Sequence, residues 1–424
     1  MTVFDEFEWR GMIHTSTEGV KELLSGPKTT AYIGFDPTAS SLHIGNLLPI
    51  MALARLQRYG HTPIVVVGGG TGLIGDPSGK SEERPLLSME EVEANVEGIR
   101  KQLSFFLDFE TRKNPAKMVN NADWLTAITL PDFLRTVGKH FTVNYMLDKE
   151  SVKRRLEQEE GISFAEFTYM LTQAYDFLML YDQYSCLLQM GGSDQWGNIT
   201  AGIDLVRRQR GAKVHGLVFP LITTASGAKF GKTEAGTVWL SPERTSPFKF
   251  YQFWLNADDM DVTTYLKFFT WLSKDEIEEL ETALSTAPEK REAQRRLAKE
   301  VTRLVHGEDN LRKAEQATRV LFGEEIKGLD SCDILDIFGD VPSTEIGRER
   351  FVDETMAVVD LMSACNIASS RSEARRLIKS GGFYLNNRRV EDERYILSLR
   401  DSLDGKYFIL RKGPKGYHLV RVTN

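Results

Sequence analysis

The feature that most restricts this chain is the alternation of short apolar runs with helical patterns in its first hundred residues. Ala31-Tyr32-Ile33-Gly34-Phe35 reads as a strand, and Leu47 to Tyr59 reads as a helix. Ile64-Val65-Val66-Val67 is a β-branched run, hence a buried strand, and Gly68-Gly69-Gly70 follows it. Glu90 to Phe106 reads as another helix. Strand, helix, strand at these spacings argues for a parallel sheet with crossover helices. Leu217-Val218-Phe219-Pro220-Leu221-Ile222 looks like a late strand of the same sheet.

The segment from about Pro131 to Gln189 is mainly helical and reads as an insertion between two halves of that sheet. From Ser246 to Phe322 the pattern is helical, with Leu297, Val301, Leu304 and Val305 on one apolar stripe. Gly323 to Arg350 is rich in Gly, Asp and Ser and reads as a linker. Phe351 to Asn424 then forms a compact final module. A length of 424 residues accommodates such an arrangement, at roughly 100–200 residues per domain. Cys186, Cys332 and Cys365 are far apart and odd in number. They read as reduced thiols of a cytoplasmic protein, not as a zinc site. No stretch of the sequence approaches the roughly 18 apolar residues of a membrane span, and the acidic start Met1-Thr2-Val3-Phe4-Asp5-Glu6 lacks a signal-peptide pattern. The net charge of −7 argues against nucleic acid until it is divided along the chain. From Leu361 onward, 13 Lys and Arg face 6 Asp and Glu, so a basic tail of +7 follows a body of −14.

Two phosphate-binding patterns are present but incomplete in context. Gly70-Thr71-Gly72-Leu73-Ile74-Gly75 fits the dinucleotide fingerprint G-x-G-x-x-G, but Asp76-Pro77-Ser78-Gly79 follows and opposes the helix that should hold a pyrophosphate. The expectation is a glycine-rich loop that lets backbone approach a ligand. Gly75-Asp76-Pro77-Ser78-Gly79-Lys80-Ser81 is one residue short of a P-loop, which misdirects its amides.

Four other constellations carry chemistry. His43-Ile44-Gly45-Asn46 sits where a helix begins near Leu42, with His43 and Asn46 at i and i+3. The helix start favours an anion, and Gly45 leaves room for a flat ring against the backbone. Taken alone, the tetrapeptide is as readily a helix start with a surface histidine. Thr223 to Thr233 contains Lys229-Phe230-Gly231-Lys232-Thr233, a loop of small residues, two lysines and a hydroxyl. It suits phosphates whose charge grows as pyrophosphate leaves, though a solvated surface loop has the same composition. Tyr169, Gln173 and Asp176 fall at i, i+4 and i+7 among Phe164, Phe167, Leu171, Phe177 and Leu178, a polar stripe on an apolar helix. Gly191-Gly192-Ser193-Asp194-Gln195-Trp196-Gly197-Asn198 sets an acid beside paired glycines, as a ribose diol requires, or is a tight turn.

Together these residues are similar to the bacterial tyrosyl-tRNA synthetases, members of the Rossmann-like class of aminoacyl-tRNA synthetases, over essentially the whole length. His43 to Asn46 resembles the HIGH signature of that class, and Lys229 to Thr233 resembles its KMSKS loop. Gly191 to Asn198 resembles a signature of the tyrosine and tryptophan branch. Asn46 replaces the second histidine and cannot be a cation, while Phe230-Gly231 replaces Met-Ser, a variant common in the tyrosine branch. The resemblance implies an α/β fold: a Rossmann-like parallel-sheet catalytic domain over 1–222 with the helical insertion and dimer interface at about 131–189. It places the lysine loop and a helical anticodon-side domain at 223–322, a linker at 323–350, and a small α+β RNA-binding domain at 351–424.

It further implies that Tyr32 and Asp176 bind a substrate phenol, that Asp76, Tyr169 and Gln173 hold its ammonium group, and that Gln195 lies near its carboxylate. Gly34, Asp36, Gly45, Asn46, Gly192 and Asp194 would line the adenylate. Thr38, His43, Lys80, Arg84, Lys229, Lys232 and Thr233 would meet the polyphosphate of ATP, which arrives with Mg2+, and no metal is expected to be bound by protein ligands alone. Phe164 would lie at a homodimer interface. Arg371, Arg375, Arg376 and Lys379 on a basic helix, with Arg388 and Arg389 after a turn, look like the RNA-binding domain shared with a ribosomal protein, here for tRNA(Tyr). Tyr32 and Asp176 separate this expectation from a tryptophan ligase.

Overall fold

The computed structural model describes residues 1–78, 88–158, 161–225, 227, 230–233, 236–414 and 416–423, and the side chains of Lys232 and Thr233 fall outside that description. The described chain forms two compact units, one of 1–245 with 256–305, the other of 246–255 with 306–424.

The first unit is built on a six-stranded sheet: β1 (Thr15–Ser16), β2 (Thr30–Phe35), β3 (Thr62–Val67), β4 (Lys117–Asn120), β5 (Leu188–Gly192) and β6 (His215–Phe219). The spatial order is β1-β6-β5-β2-β3-β4. All neighbours are parallel except β1 and β6. Every residue of β3 is buried, which accounts for its β-branched run: helices cover both faces of a parallel sheet. The helix Leu47–Arg58 makes the crossover from β2 to β3, with Pro49 in its first turn, where a missing amide costs nothing. The helix expected at 90–106 spans Met89–Leu103, started by a capping box between Ser88 and Glu91. The expected strand 217–222 is shifted to 215–219, because Pro220 has no amide to give the ladder.

Chain order reverses at β2. The chain runs outward to β3 and β4 on one side and returns as β5 and β6 on the other. Such a switch point opens a crevice at the carboxyl ends of the strands. The insertion between β4 and β5 carries the helices Leu130–Thr136, Val143–Leu147, Glu150–Leu156 and Phe164–Tyr184. Its expected end at 189 overlaps β5, which begins at Leu188. A buried Arg155–Glu166 ion pair of 2.9 Å ties two of these helices.

The expected segment 223–322 is shared between the two units. Its helix Glu292–Leu321 is broken at Gly307, whose φ of 79° is open to glycine. The stretch 323–350 is not a plain linker. It holds the helix Ser331–Phe338 and the strand Ser343–Gly347, which pairs in parallel with Gly416–Thr423. Its Asp and Gly content marks caps and turns: Asp330 caps the helix, while Ile334, Ile337 and Phe338 enter a core with Tyr417 and Leu419. Within 351–424, the expected basic helix is Arg371–Lys379, and Phe383–Leu385 turns back on Arg388–Arg389. Asn386 and Asn387 make that turn at φ of 49° and 61°, the pair of positive values a tight hairpin demands.

Candidate active site

The polar stripe predicted on one helix lies on Phe164–Tyr184, beside the switch point. Tyr169 and Asp176 are buried, at 4% and 3% exposure. Asp176 is held from two sides: its Oδ1 accepts from Trp124 Nε1 at 2.7 Å and its Oδ2 accepts from Asn121 Nδ2 at 2.9 Å. Burial pushes its carboxyl up to about 7, although both hydrogen bonds act the other way. Tyr32, at 1% exposure in β2, packs edge-on against Phe177 with centroids 5.3 Å apart. Its hydroxyl has no hydrogen-bond partner among the described residues. Burial, then the nearby Asp176 charge, pushes the Tyr32 phenol well above its usual range. A buried donor without a partner beside a fixed carboxylate is a site organised for a further hydroxyl.

A second polar cluster holds the other end. Gln195 Nε2 donates to Asp76 Oδ2 at 2.6 Å, and Gln173 Nε2 donates to Gln195 Oε1 at 3.3 Å. Asn198, 5% exposed, donates to Gln173 Oε1 at 3.1 Å and to Ser78 Oγ at 3.2 Å. Tyr169 donates to Asp36 Oδ2 at 3.5 Å, and Asp36 Oδ1 accepts from Thr71. Thus Asp76, Gln173 and Gln195 are joined with Asn198 in one network, while Tyr169 and Asp36 connect through Thr71 and Asn121 to the carboxyl of Asp176. Gly34 is exposed in the middle of the sheet, and a Cβ there would meet nothing within 4 Å, so it floors open space at the crevice. At Gly192 a Cβ would lie 2.5 Å from Asp194 Oδ1, so only glycine lets that carboxylate fold back. Thr38 is exposed on the turn after β2.

His43 and Asn46 do not stand on one face of an α-helix. Ile44–Asn46 is a 3₁₀ turn ahead of the helix Leu47–Arg58, and His43 is its cap. His43 Nδ1 accepts from the Gly45 amide at 3.0 Å, and Asn46 Oδ1 accepts from the His43 amide at 3.1 Å. Asn46 therefore works as a reciprocal cap in the position of a second histidine. The lysine loop is brought to this corner. A Cβ on Gly231, whose φ is 84°, would lie 2.8 Å from Ile44 Cγ1. Phe230 is buried and stacks on Phe269 at 5.6 Å, anchoring the loop in an aromatic cluster with Tyr265. Lys80, Arg84 and Lys229 lie outside the described residues, as do the side chains of Lys232 and Thr233.

The glycine loop 70–75 has a partner that sequence reasoning missed. The amides of Gly70 and Thr71 donate to Asn121 Oδ1, and a Cβ on Gly69 would strike Asn120. The loop holds the 3₁₀ turn Thr71–Leu73, and among the described residues the next helix begins only at Met89, so within 70–78 no helix N-terminus is offered to a phosphate. Asn121 and Trp124 were also missed as the residues that hold Asp176. Their one signal in the sequence is position, directly after the strand that precedes the insertion. Asn198, which the sequence offers only as the end of the Gly191–Asn198 turn, is a buried member of the network.

On the C-terminal unit the six expected basic residues divide. Arg371 pairs with Asp360, Lys379 with Glu393 and Arg388 with Glu325. Arg375, Arg376 and Arg389 are exposed and make no ion pair among the described residues.

Known proteins resemble the chain throughout. Residues 25–323 match the family described as tRNA synthetases class I (W and Y). Residues 333–420 match the tyrosine–tRNA ligase SYY-like C-terminal domain. A tyrosine–tRNA ligase from Roseiflexus castenholzii is 58% identical over 422 residues, covering 100% of both chains. One from Geobacillus kaustophilus is 52% identical over 426 residues, covering 99% of this chain and 100% of the relative. Among solved structures, a C-terminally truncated mitochondrial tyrosyl-tRNA synthetase from Aspergillus nidulans superposes with a TM-score of 0.69 at 31% identity, covering 76% of this chain and 94% of that one. A tryptophanyl-tRNA synthetase from Plasmodium falciparum, at 14% identity and a TM-score of 0.52, shares the fold over 78% of this chain and 87% of its own. The chain belongs to the class I aminoacyl-tRNA synthetases of the tryptophan and tyrosine branch, and within it to the tyrosine–tRNA ligases.

Proposed function

We infer that this chain is a tyrosine–tRNA ligase that works in two steps. A carboxylate oxygen of tyrosine attacks the α-phosphorus of ATP, the bond to the β-phosphate oxygen breaks, and pyrophosphate leaves. A ribose hydroxyl at the end of tRNA(Tyr) then attacks the tyrosyl carbonyl and releases AMP. No side chain forms a bond to the substrate, so rate comes from positioning and from charge aimed at the departing phosphates. The observation that carries the choice of tyrosine is the unpartnered buried hydroxyl of Tyr32 beside Asp176. A site that pairs a hydroxyl rejects the analogue that lacks it, a rule for which tyrosyl-tRNA synthetases are a standard illustration.

The remaining roles follow from the two ends of the site. Asp76, Tyr169 and Gln173 take the ammonium group, and Gln195 lies at the carboxylate. Gly34, Asp36, Gly45, Asn46, Gly192 and Asp194 line the adenosine and its ribose. Thr38, His43, Lys80, Arg84, Lys229, Lys232 and Thr233 surround the triphosphate. Mg2+ would accompany ATP and would supply neutralisation of the phosphate charge. Among the described residues no three His, Cys, Asp or Glu side chains converge as a metal cage. Arg375, Arg376 and Arg389 lead the RNA contact, and the paired Arg371, Lys379 and Arg388 join once phosphate displaces surface carboxylates, which hold them weakly.

Phe164 is 76% exposed, Leu130 68% and Val143 61%, an apolar surface on the insertion that a second copy would cover in a homodimer. Three free cysteines suit a reducing cytoplasm, and among the described residues no helix is long and apolar enough to cross a membrane. Pyrophosphate–ATP exchange with each amino acid tests the substrate. Exchange with tyrosine alone is expected, and exchange with tryptophan instead of tyrosine overturns the assignment.

A further inference from the structure

Residue Val238 joins the two signature segments through its own backbone. Its amide donates to Gly231 O at 3.0 Å, and its carbonyl accepts from the Ile44 amide at 3.1 Å. The contact continues on either side. Leu240 N donates to Leu42 O at 2.8 Å, Ser241 N donates to Ser41 Oγ at 3.2 Å, and Trp239 forms a β-bridge with His43. The Trp239 ring meets the His43 imidazole edge-on, with centroids 6.1 Å apart and planes at 66°, a geometry that favours aromatic contact. Arg244 lies 3.4 Å over the centroid of Trp239, and the Trp239 amide donates to Thr245 Oγ1 at 3.0 Å. Arg244 is exposed and makes no ion pair among the described residues, so its guanidinium is committed to the indole.

From this geometry we infer that residues 238–241 are a strap that sets the spacing between His43 and Lys232, with Trp239 and Arg244 as its positioning residues. The inference rests on the ligase reading and extends it to residues outside both signatures. Lys232 starts the strand Lys232–Thr233, directly after Gly231, and that strand pairs with Gly236–Thr237, directly before Val238. The hairpin that carries Lys232 is therefore fastened at its base to Ile44 and Leu42 by Val238 and Leu240. A triphosphate lying between His43 and Lys232 needs both at one separation, and a displacement of about 1 Å is enough to cost roughly a hundredfold in rate. Trp239, with the Val238 carbonyl and the Leu240 amide, holds the histidine side of that separation, and the Val238 amide on Gly231 O holds the lysine side.

The test is a double-mutant cycle read by single-turnover formation of tyrosyl-adenylate, with tyrosine affinity measured by equilibrium dialysis. Trp239→Ala is expected to slow adenylate formation by roughly tenfold or more while tyrosine affinity stays within about twofold. Trp239→Phe keeps an edge-on ring and is expected to recover most of the rate. In the Lys232→Ala background, Trp239→Ala is expected to slow the reaction by only about threefold or less, because residues that act through one geometry do not multiply. Multiplicative losses, or an unchanged rate in Trp239→Ala, overturn the strap. If Trp239→Ala does not fold, exposed Arg244→Gln runs the same cycle with the same two outcomes. Wild-type protein that lacks tyrosine-dependent exchange instead sinks the ligase reading, so the two failures are distinct.

Discussion

Replacing Tyr32 by Phe is expected to separate stability from specificity, because in the proposed site the same hydroxyl acts on both with opposite signs. Tyr32 is 1% exposed, and its hydroxyl is buried without a partner among the described residues. An unsatisfied buried hydroxyl costs about 1–3 kcal/mol, so Tyr32→Phe is expected to stabilise the unliganded protein by about 1 kcal/mol or more. For a unit of this size that is a rise on the order of 2 °C in melting temperature, readable by calorimetry. In the complex the lost hydroxyl removes one neutral hydrogen bond to the substrate phenol, worth roughly 0.5–1.5 kcal/mol, or about two- to tenfold in kcat/KM for tyrosine. Phenylalanine never made that bond, so its kcat/KM holds or rises, and the preference for tyrosine narrows by about the same factor. Asp176 keeps the rest of the discrimination, since Trp124 and Asn121 still hold it. A variant that is less stable, with an unchanged ratio of tyrosine to phenylalanine activation, refutes the assignment of Tyr32 to the phenol.

The carboxyl of Asp176, raised to about 7 from 3.8, keeps in the native state a proton that the unfolded chain releases. Its contribution to stability is therefore full below about pH 4 and is lost as pH rises through 7, at up to about 1.4 kcal/mol per unit. Urea titrations across that range should show the loss in wild type and a flatter profile in Asp176→Asn. Tyrosine binding to the wild type should tighten over the same rise in pH, as the ionised carboxylate becomes the acceptor for the phenol. Asn121→Ala strands Asp176 Oδ2 and the Gly70 amide, so it should cost about 2–3 kcal/mol in denaturant titration and move the Asp176 transition to higher pH. Arg375→Glu combined with Arg376→Glu should weaken tRNA binding and reduce its dependence on log salt by roughly two, while adenylate formation stays unchanged. A gel-shift series in increasing salt reads the slope.

The crevice was legible because its determinants are local. β-Branched strands with a crossover helix forced a parallel sheet, and the i, i+4, i+7 spacing put Tyr169, Gln173 and Asp176 on one helix face. Spacing within one helix carries no information about distant partners. Asn121 and Trp124 come from a different element more than fifty positions from Asp176, and neither lies in a periodic pattern. The His43 corner was misread as an α-helical face because nothing in the tetrapeptide distinguishes a 3₁₀ turn from the first α-turn, and only the cap geometry decides. Residues 323–350 read as a linker because Gly, Asp and Ser mark caps and turns as well as disorder. The helix Ser331–Phe338 is stabilised by burial against Tyr417 and Leu419, which lie far along the chain in its last strand.

The central claim is that tyrosine, and no other amino acid, is joined to tRNA by the site around Tyr32 and Asp176. Aminoacylation of unfractionated bacterial tRNA with labelled tyrosine, phenylalanine and tryptophan in parallel reads it most directly. The account predicts ATP-dependent, acid-precipitable charging with tyrosine alone, abolished when Asp176 is replaced by Ala. Charging with tryptophan or phenylalanine at a comparable rate, or tyrosine charging that survives Asp176→Ala, contradicts it.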